Sequence, residues 1–489
     1  MNKALPAALG TVLTAAFVLF AILVEPAYAD VLLTDQVLGA SAQERGLAIE
    51  EMPDILATHA IIMRPDGSVY YEREADSPIK IASTTKVMTA LVALDHCDPS
   101  ETLTVDRTAA TVGESCVGLK EGDTLTLEQA LTGLMVMSGN DVATAIATHV
   151  GGKIDPASAD PYGTFIKAMN DRAAQLGCTD TLFENPHGLD FGAWVGNLHS
   201  TAHDVTRIWA EAWRNEAFRS FACSDATEMH VTSADGSARS LPLTVRNKIL
   251  GRDGNLGGKT GSTYEAGECF VCTFSREPEG EVYIALFGSK GDDGRFNDTL
   301  TLANWYYGHF ANLPFATSPK QVGGVPLAAE AACVDWSDKL MDLTFADADA
   351  AARVFTLGGP IEQKVEVDEL RGKHAAGTAA GSVTYTQNGE TIGSVELTTA
   401  NELEPPIFSS GLPSNSIASC ASSRASRPQL RSEYTPPCPT RSPSTDGTRN
   451  RATAPIPFNK RAGQGTNIPG RPVHEEDSAS ELTRRALPS

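Results

Sequence analysis

Ser83 and Lys86 stand three residues apart in the run Ile81-Ala82-Ser83-Thr84-Thr85-Lys86-Val87-Met88-Thr89-Ala90. Its apolar pattern predicts the end of a buried segment followed by a helix through Leu94. On a helix, that spacing puts the hydroxyl and the amine on one face. A serine hydroxyl is a poor nucleophile until a base takes its proton, and a lysine with a lowered pKa can be that base. The same pattern also describes a solvated helix start capped by serine. Two further tripeptides bear on the choice. Ser138-Gly139-Asn140 falls between two predicted helices, where a serine can relay a proton and an asparagine can bond a lysine and a backbone at once. Lys259-Thr260-Gly261 is predicted at the start of a strand; its cation and hydroxyl suit a carboxylate, and Gly261 leaves room for a group to approach the backbone. Alone, the first fits a helix cap and the second a charged turn.

The surrounding elements must bring these three stretches together. Strands are predicted at 58–63 and 68–72, joined by the turn Pro65-Asp66-Gly67, so a hairpin delivers the chain to Ser83. A strand at 101–105 precedes a helix opened by Thr126 and Gln129 as a capping box. Helices are predicted at 142–149, at 165–176 with Gly177 as the stop, and from a cap at Ser200 or Thr201 through Trp213. From Met229 the texture changes to strands, at 243–245, 269–274 and 281–288, and a helical pattern covers 296–310. Helices in the middle and strands at both ends predict one sheet with a helical subdomain, an α+β fold.

The chain has 489 residues, 42% hydrophobic, and a net charge of -22, enough for two or three domains. The acidic balance argues against nucleic acid as a partner. Lys3, the apolar run from Ala7 to Val24 and Ala27-Tyr28-Ala29 read as an export signal over residues 1–29, with a retained membrane anchor as the other possibility. Either places the body outside the cytoplasm. Cys97 and Cys116 bracket a short segment and could pair, whereas Cys269 and Cys272 should lie on opposite faces of a strand. No metal or cofactor set is apparent.

Taken in order, the three motifs resemble those of the penicillin-recognising serine acyl-transferases. The stretches Ala82 to Ala90, Ser138 to Asp141, Asn185-Pro186-His187-Gly188-Leu189, His199 to Asp204 and Gly258 to Gly261 resemble, more closely, the serine D-alanyl-D-alanine carboxypeptidases, over about residues 55–310. The resemblance implies a β-lactamase/transpeptidase-like domain acting on peptidoglycan stem peptides ending in D-Ala-D-Ala and acylated by β-lactams. It implies Ser83 as nucleophile, Lys86 as base, Ser138 as relay, Asn140 as orienting group, Lys259 and Thr260 as carboxylate binders, and an oxyanion hole from the N–H groups of Ser83 and Ser262. Gly261 would border the substrate, and Arg295 resembles a further carboxylate-side arginine. His187 is expected in a loop beside the cleft and His203 on a helix surface. A class A β-lactamase shares the three motifs, but Glu184-Asn185-Pro186 lacks the form of its deacylating loop. A non-catalytic peptidoglycan-binding domain is the other alternative.

Residues 30–315 are thus expected to form the catalytic domain. Strands at 353–357, 363–367, 381–385 and 393–397, with a hairpin turn at Asn388-Gly389, predict a small all-β domain over 316–402. Residues 403–489, rich in Ser, Pro and Arg, read as a disordered tail.

Overall fold

The computed structural model describes residues 32–291, 293–335 and 339–404. The predicted export signal and nearly all of the predicted tail lie outside the described residues. No helix among the described residues is long and apolar enough to cross a membrane.

The architecture is α+β. An antiparallel seven-stranded sheet joins two distant parts of the chain. Strands β1 (Gln36–Val37), β2 (Ala40–Ser41), β3 (His59–Met63) and β4 (Val69–Arg73) come from the first part. Strands β5 (Asn255–Thr263), β6 (Gly267–Arg276) and β7 (Gly280–Ser289) come from the second. Their order is β2-β1-β4-β3-β7-β6-β5, so β3 and β7 make the junction, with Ile62 opposite Ile284. Side chains alternate across a strand, and here both faces are buried. Ile61, Val271 and Ala285 enter one core, while Ile62, Phe270 and Ile284 enter the other. That explains why these strands read as unbroken apolar runs. Cys269 and Cys272 fall on opposite faces, as their spacing requires.

One core lies under the helical block, whose principal helices are α1 (Lys86–His96), α2 (Asn140–Ile154), α3 (Pro161–Gln175) and α4 (Ala202–Arg214). The other is closed by α5 (Gly294–Gly308), through Phe296, Leu302 and Tyr306. Local signals account for the helix starts. Thr126 and Gln129 form the expected capping box, and Thr201 rather than Ser200 caps α4 by accepting from Asp204 N at 3.0 Å. Ser200 turns instead to the Thr181 hydroxyl, 2.7 Å away.

Several expectations need correction. Residues 243–245 are not a strand. Leu243 N donates to Thr227 O and Arg246 N to Val136 O, so this backbone is used outside a ladder. The strands nearby are Glu228–Thr232 and Ala238–Pro242, in a separate four-stranded sheet with Thr102–Thr104 and Thr124–Thr126. Lys259 lies mid-strand in β5, not at its start, because the preceding glycines also pair with β6, Gly258 opposite Cys272. The last helix ends at Gly308, and Phe310–Pro314 is a strand. Cys97 and Cys116 are both free thiols.

Beyond residue 315, six strands between Gln321 and Thr399 form a further sheet around Leu343, Val383 and Leu397. Asn388 and Gly389, with φ of 51° and 82°, make the tight hairpin turn that this residue pair favours. The strand Ala351–Phe355 pairs with Phe310–Pro314 in a separate two-stranded sheet.

A buried ion pair anchors the N-terminal segment to the main sheet. Arg73 on β4 gives two N–H groups to Asp35, with Nη2 to Oδ2 at 2.7 Å, and donates to the carbonyls of Ile55 and Ala57. Tyr71 donates to the same carboxylate at 2.6 Å. Removing one partner of such a pair strands the other charge in a dry site. Arg73→Met should therefore lower the unfolding free energy by about 3–5 kcal/mol, read as a reduced urea midpoint.

Candidate active site

The nucleophile candidate sits on a 3₁₀ turn, Ala82–Thr85, that leads into α1. Ala82 has φ of +46°, a left-handed conformation that costs a residue with a Cβ about 1–3 kcal/mol. The turn is pinned by side chains: Thr84 Oγ1 donates to Ile81 O and Thr85 Oγ1 to Ala82 O. Gly188 presses on it from outside. A Cβ there would lie 1.8 Å from Ala82 O, and Gly188 itself has φ of +86°.

Lys86 is fully buried and its amine has three neighbours. Nζ lies 2.9 Å from Ser83 Oγ, 2.8 Å from Asn140 Oδ1 and 2.8 Å from His187 O. The two carbonyl oxygens can only accept, so each fixes one N–H. The third direction points at Ser83. In the ammonium form it holds a proton; in the neutral form it holds the lone pair, aimed at the serine hydroxyl. Burial pulls the Lys86 pKa down to about 7, with the Asp141 carboxylate opposing. This lysine can therefore supply a base near neutral pH.

The groups around Lys86 are themselves held. Asn140 begins α2; its Nδ2 donates to Gly113 O at 3.0 Å and its backbone N to Ser115 O at 2.6 Å. Asn185 Oδ1 accepts from Gly188 N at 2.6 Å, and its Nδ2 donates to Leu189 O at 2.9 Å. This knot aims the His187 carbonyl at Lys86. The His187 ring is kept neutral by burial and by the nearby Lys86 cation. It packs edge-on against Trp194, so the residue takes part through its backbone. His203 lies half-buried on α4, its Nδ1 3.0 Å from Asp76.

Ser138 and Lys259 form the second pair. Lys259 Nζ donates to Ser138 Oγ at 2.8 Å and to Thr260 O at 2.6 Å. Burial first, then the neighbouring Lys86, Arg295 and Arg246 cations, pulls the Lys259 pKa well below the usual lysine range. Ser138 has φ of +66°, which turns the chain between the preceding helix and α2.

The edge strand β5 runs beside the Ser83 turn. A Cβ on Gly261 would meet Ile81 O at 3.0 Å and Ser83 N at 3.1 Å, so only glycine permits this approach without displacement. An open cleft of about 650 Å³ lies along it, lined by Ser83, Ser138, Thr260, Gly261, Ser262 and Arg295. Arg295, in the first turn of α5, donates to Gly261 O at 2.6 Å and makes an ion pair with Glu268. Burial and Arg246 lower its pKa to about 10, so it is a cation at neutral pH. Of the nine residues singled out from the sequence, Ser83, Ser138, Thr260, Gly261, Ser262 and Arg295 line the cleft, and Lys86, Asn140 and Lys259 are buried behind them. Sequence reasoning missed Ser115, Arg246 and Glu268, which also line it. No local motif marks them.

Such a site defines a serine acyl-transfer enzyme: a nucleophile beside a buried amine, a second serine–lysine pair, and a cationic cleft along a sheet edge. Residues 47–290 match the D-alanyl-D-alanine carboxypeptidase family. The D-alanyl-D-alanine carboxypeptidase DacB2 of Mycobacterium tuberculosis is 32% identical over 248 residues, covering 49% of this chain and 78% of that protein. The D-alanyl-D-alanine carboxypeptidase of Streptomyces sp. K15 is 32% identical over 248 residues, covering 49% and 82%. The solved structure of the Streptomyces K15 DD-transpeptidase aligns at 30% identity with a TM-score of 0.49, covering 52% of this chain and 98% of that one. The chain belongs to the D-alanyl-D-alanine carboxypeptidase family.

One support of the site is a carboxylate with no contact to the cleft. Asp141 accepts from the backbone N–H groups of Val117, Gly118, Leu119 and Val142 at 2.9–3.1 Å. It thereby holds the segment whose Gly113 and Ser115 carbonyls orient Asn140. Asp141→Ala leaves these N–H groups without their charged acceptor and should cost about 2–4 kcal/mol. Hydrogen exchange should show amides 113–119 opening first.

Proposed function

We propose that this chain hydrolyses the terminal D-Ala-D-Ala bond of peptidoglycan stem peptides through an acyl-enzyme on Ser83, and that β-lactams acylate the same oxygen. The observation that carries the reading is the Lys86 amine, whose two carbonyl partners leave its third direction for Ser83 Oγ.

In this reading Lys86 takes the Ser83 proton as Oγ attacks the carbonyl of the penultimate D-alanine. The oxyanion forms against the N–H groups of Ser83 and Ser262, where charge stabilisation contributes most. The C–N bond then breaks, and the proton reaches the departing amine through Ser138. Lys259 donates an N–H to the Ser138 oxygen at 2.8 Å and so keeps the relay hydroxyl aimed. Thr260, Lys259 and Arg295 receive the terminal carboxylate, and Asn140 keeps Lys86 aimed. Water attacks the ester, Lys86 takes its proton, and Ser83 is restored. The substrate is a cell-wall peptide, so the reaction takes place outside the cytoplasm. Residues 30–315 form the catalytic domain and 316–402 a β-rich domain that positions it. An uncleaved N-terminal segment would add membrane attachment.

Glu184 does not offer the carboxylate a β-lactamase uses to release its acyl-enzyme. Its Oε2 accepts from Leu198 N at 2.8 Å, and it is not among the cleft-lining residues. β-Lactam adducts should therefore persist. Intact mass after benzylpenicillin treatment should rise by one whole penicillin, with the adduct on Ser83, and Ser83→Ala should abolish both the adduct and D-alanine release. Rapid return to the free mass with penicillin consumed would make the chain a β-lactamase.

The acylation rate should also depend on pH. Lys86 acts as the neutral amine, and its pKa is lowered to about 7. The apparent second-order rate constant should thus fall below pH 7, about tenfold per unit, and level off above it. A profile flat from pH 5 to 8 would exclude Lys86 as the base.

A further inference from the structure

Antiparallel pairing of β5 with β6 sets Glu268 directly opposite Ser262. Its half-buried side chain stands in the cleft. Ser262 Oγ donates to Glu268 Oε1 at 2.7 Å, and the other oxygen is paired with Arg295 Nη2. The second terminal nitrogen of Arg295 is held separately by Gly261 O, so the guanidinium has an anchor besides the glutamate. Asp293, the other carboxylate lining the cleft, is paired with Lys248. Glu268 is therefore the carboxylate that occupies Arg295 in the free protein.

Arg295 is also where the function proposed above seats the terminal carboxylate of the substrate, and the following rests on that reading. A guanidinium binds a carboxylate best through two parallel N–H groups. One edge of Arg295 is already engaged, and the group engaging it bears the same charge as the substrate. We propose that Glu268 is an internal counterpart of the substrate carboxylate: it holds Arg295 and Ser262 in the free enzyme, and the incoming peptide must displace it. Glu268 then sets the affinity for carboxylate-ended substrates, acting on binding and leaving the chemical step to the residues at Ser83.

Glu268→Gln keeps the shape and an acceptor for Ser262 but removes the charge. KM for an N-acylated peptide ending in D-Ala-D-Ala should fall about fivefold, the scale of one partly exposed ion pair, with kcat unchanged within about twofold. Acylation by benzylpenicillin should accelerate to a similar degree, and acylation by its methyl ester should not. Glu268→Ala should change KM in the same direction. A KM that is unchanged or raised in either folded variant, or an equal gain for the ester, would overturn the proposal; a raised KM would make Glu268 a positioning group for Arg295. Calorimetry of the same peptide on Ser83→Ala, with and without Glu268→Gln, repeats the comparison without turnover. Tighter binding without any wild-type catalysis would refute the activity and keep the role of Glu268. Catalysis without a Glu268 effect would do the reverse.

Discussion

The site depends on burying an amine with no carboxylate beside it. Taking an ammonium out of water is costly, and a protein usually offsets that with an anion. Here Lys86 has two amide-type carbonyls and a hydroxyl instead. These satisfy its N–H groups without stabilising the charge as an anion would, so desolvation prevails and the pKa drops. The nearest relevant carboxylate, Asp141, is already saturated by four backbone N–H groups. That separation matters chemically. An aspartate in contact with Lys86 would hold it as an ammonium, a form that cannot act as a base. The same logic extends to Lys259, buried among other cations and bonded to a hydroxyl and a carbonyl.

Neutral acceptors must be aimed more carefully than charges, because their attraction is short-ranged and directional. This accounts for the backbone conformations near the site. Ala82 and Ser138, one beside the candidate nucleophile Ser83 and one bearing the hydroxyl that Lys259 bonds, both have positive φ. Each is held by packing from elsewhere in the chain. The Asn185–Leu189 knot fits only because Gly188 has no side chain to strike Ala82 O. The two-faced core of the main sheet provides the rigid base that such strain requires.

The parts of this arrangement that were legible in sequence are those where chemistry and local structure coincide. Ser83 and Lys86 share a turn, and the Thr126 capping box and Thr201 cap follow from residues three apart. The α+β layout followed from apolar runs flanking a helical middle. What escaped was set by distant partners. Leu243 to Val245 has strand-like residues, but the carbonyl of Thr227 and the amide of Arg246, bonded to Val136 O, draw that backbone away from a ladder. Lys259 sits deep in β5 because β6 pairs with the glycines before it. Asp141 looked like the fourth residue of a motif; its task is to hold a segment more than twenty residues earlier. Glu268 belongs to the cleft only through the register of β5 and β6.

Net charge was equally silent about the cleft. The chain carries -22 overall, yet Arg246, Lys248 and Arg295 line this one groove and two lysines lie beneath it. An acidic exterior keeps a protein soluble and repels anions at long range, whereas a concave cationic site focuses its own field locally. Recognition of a carboxylate-ended peptide must then be decided inside the groove, at contact distance. There a single internal carboxylate has leverage out of proportion to its share of the total charge. Glu268 is one of about sixty acidic side chains, but it is paired with Arg295, a guanidinium that lines the cleft. Affinity for the substrate is thus governed by which cation remains unpaired in the cleft rather than by the balance over the whole chain.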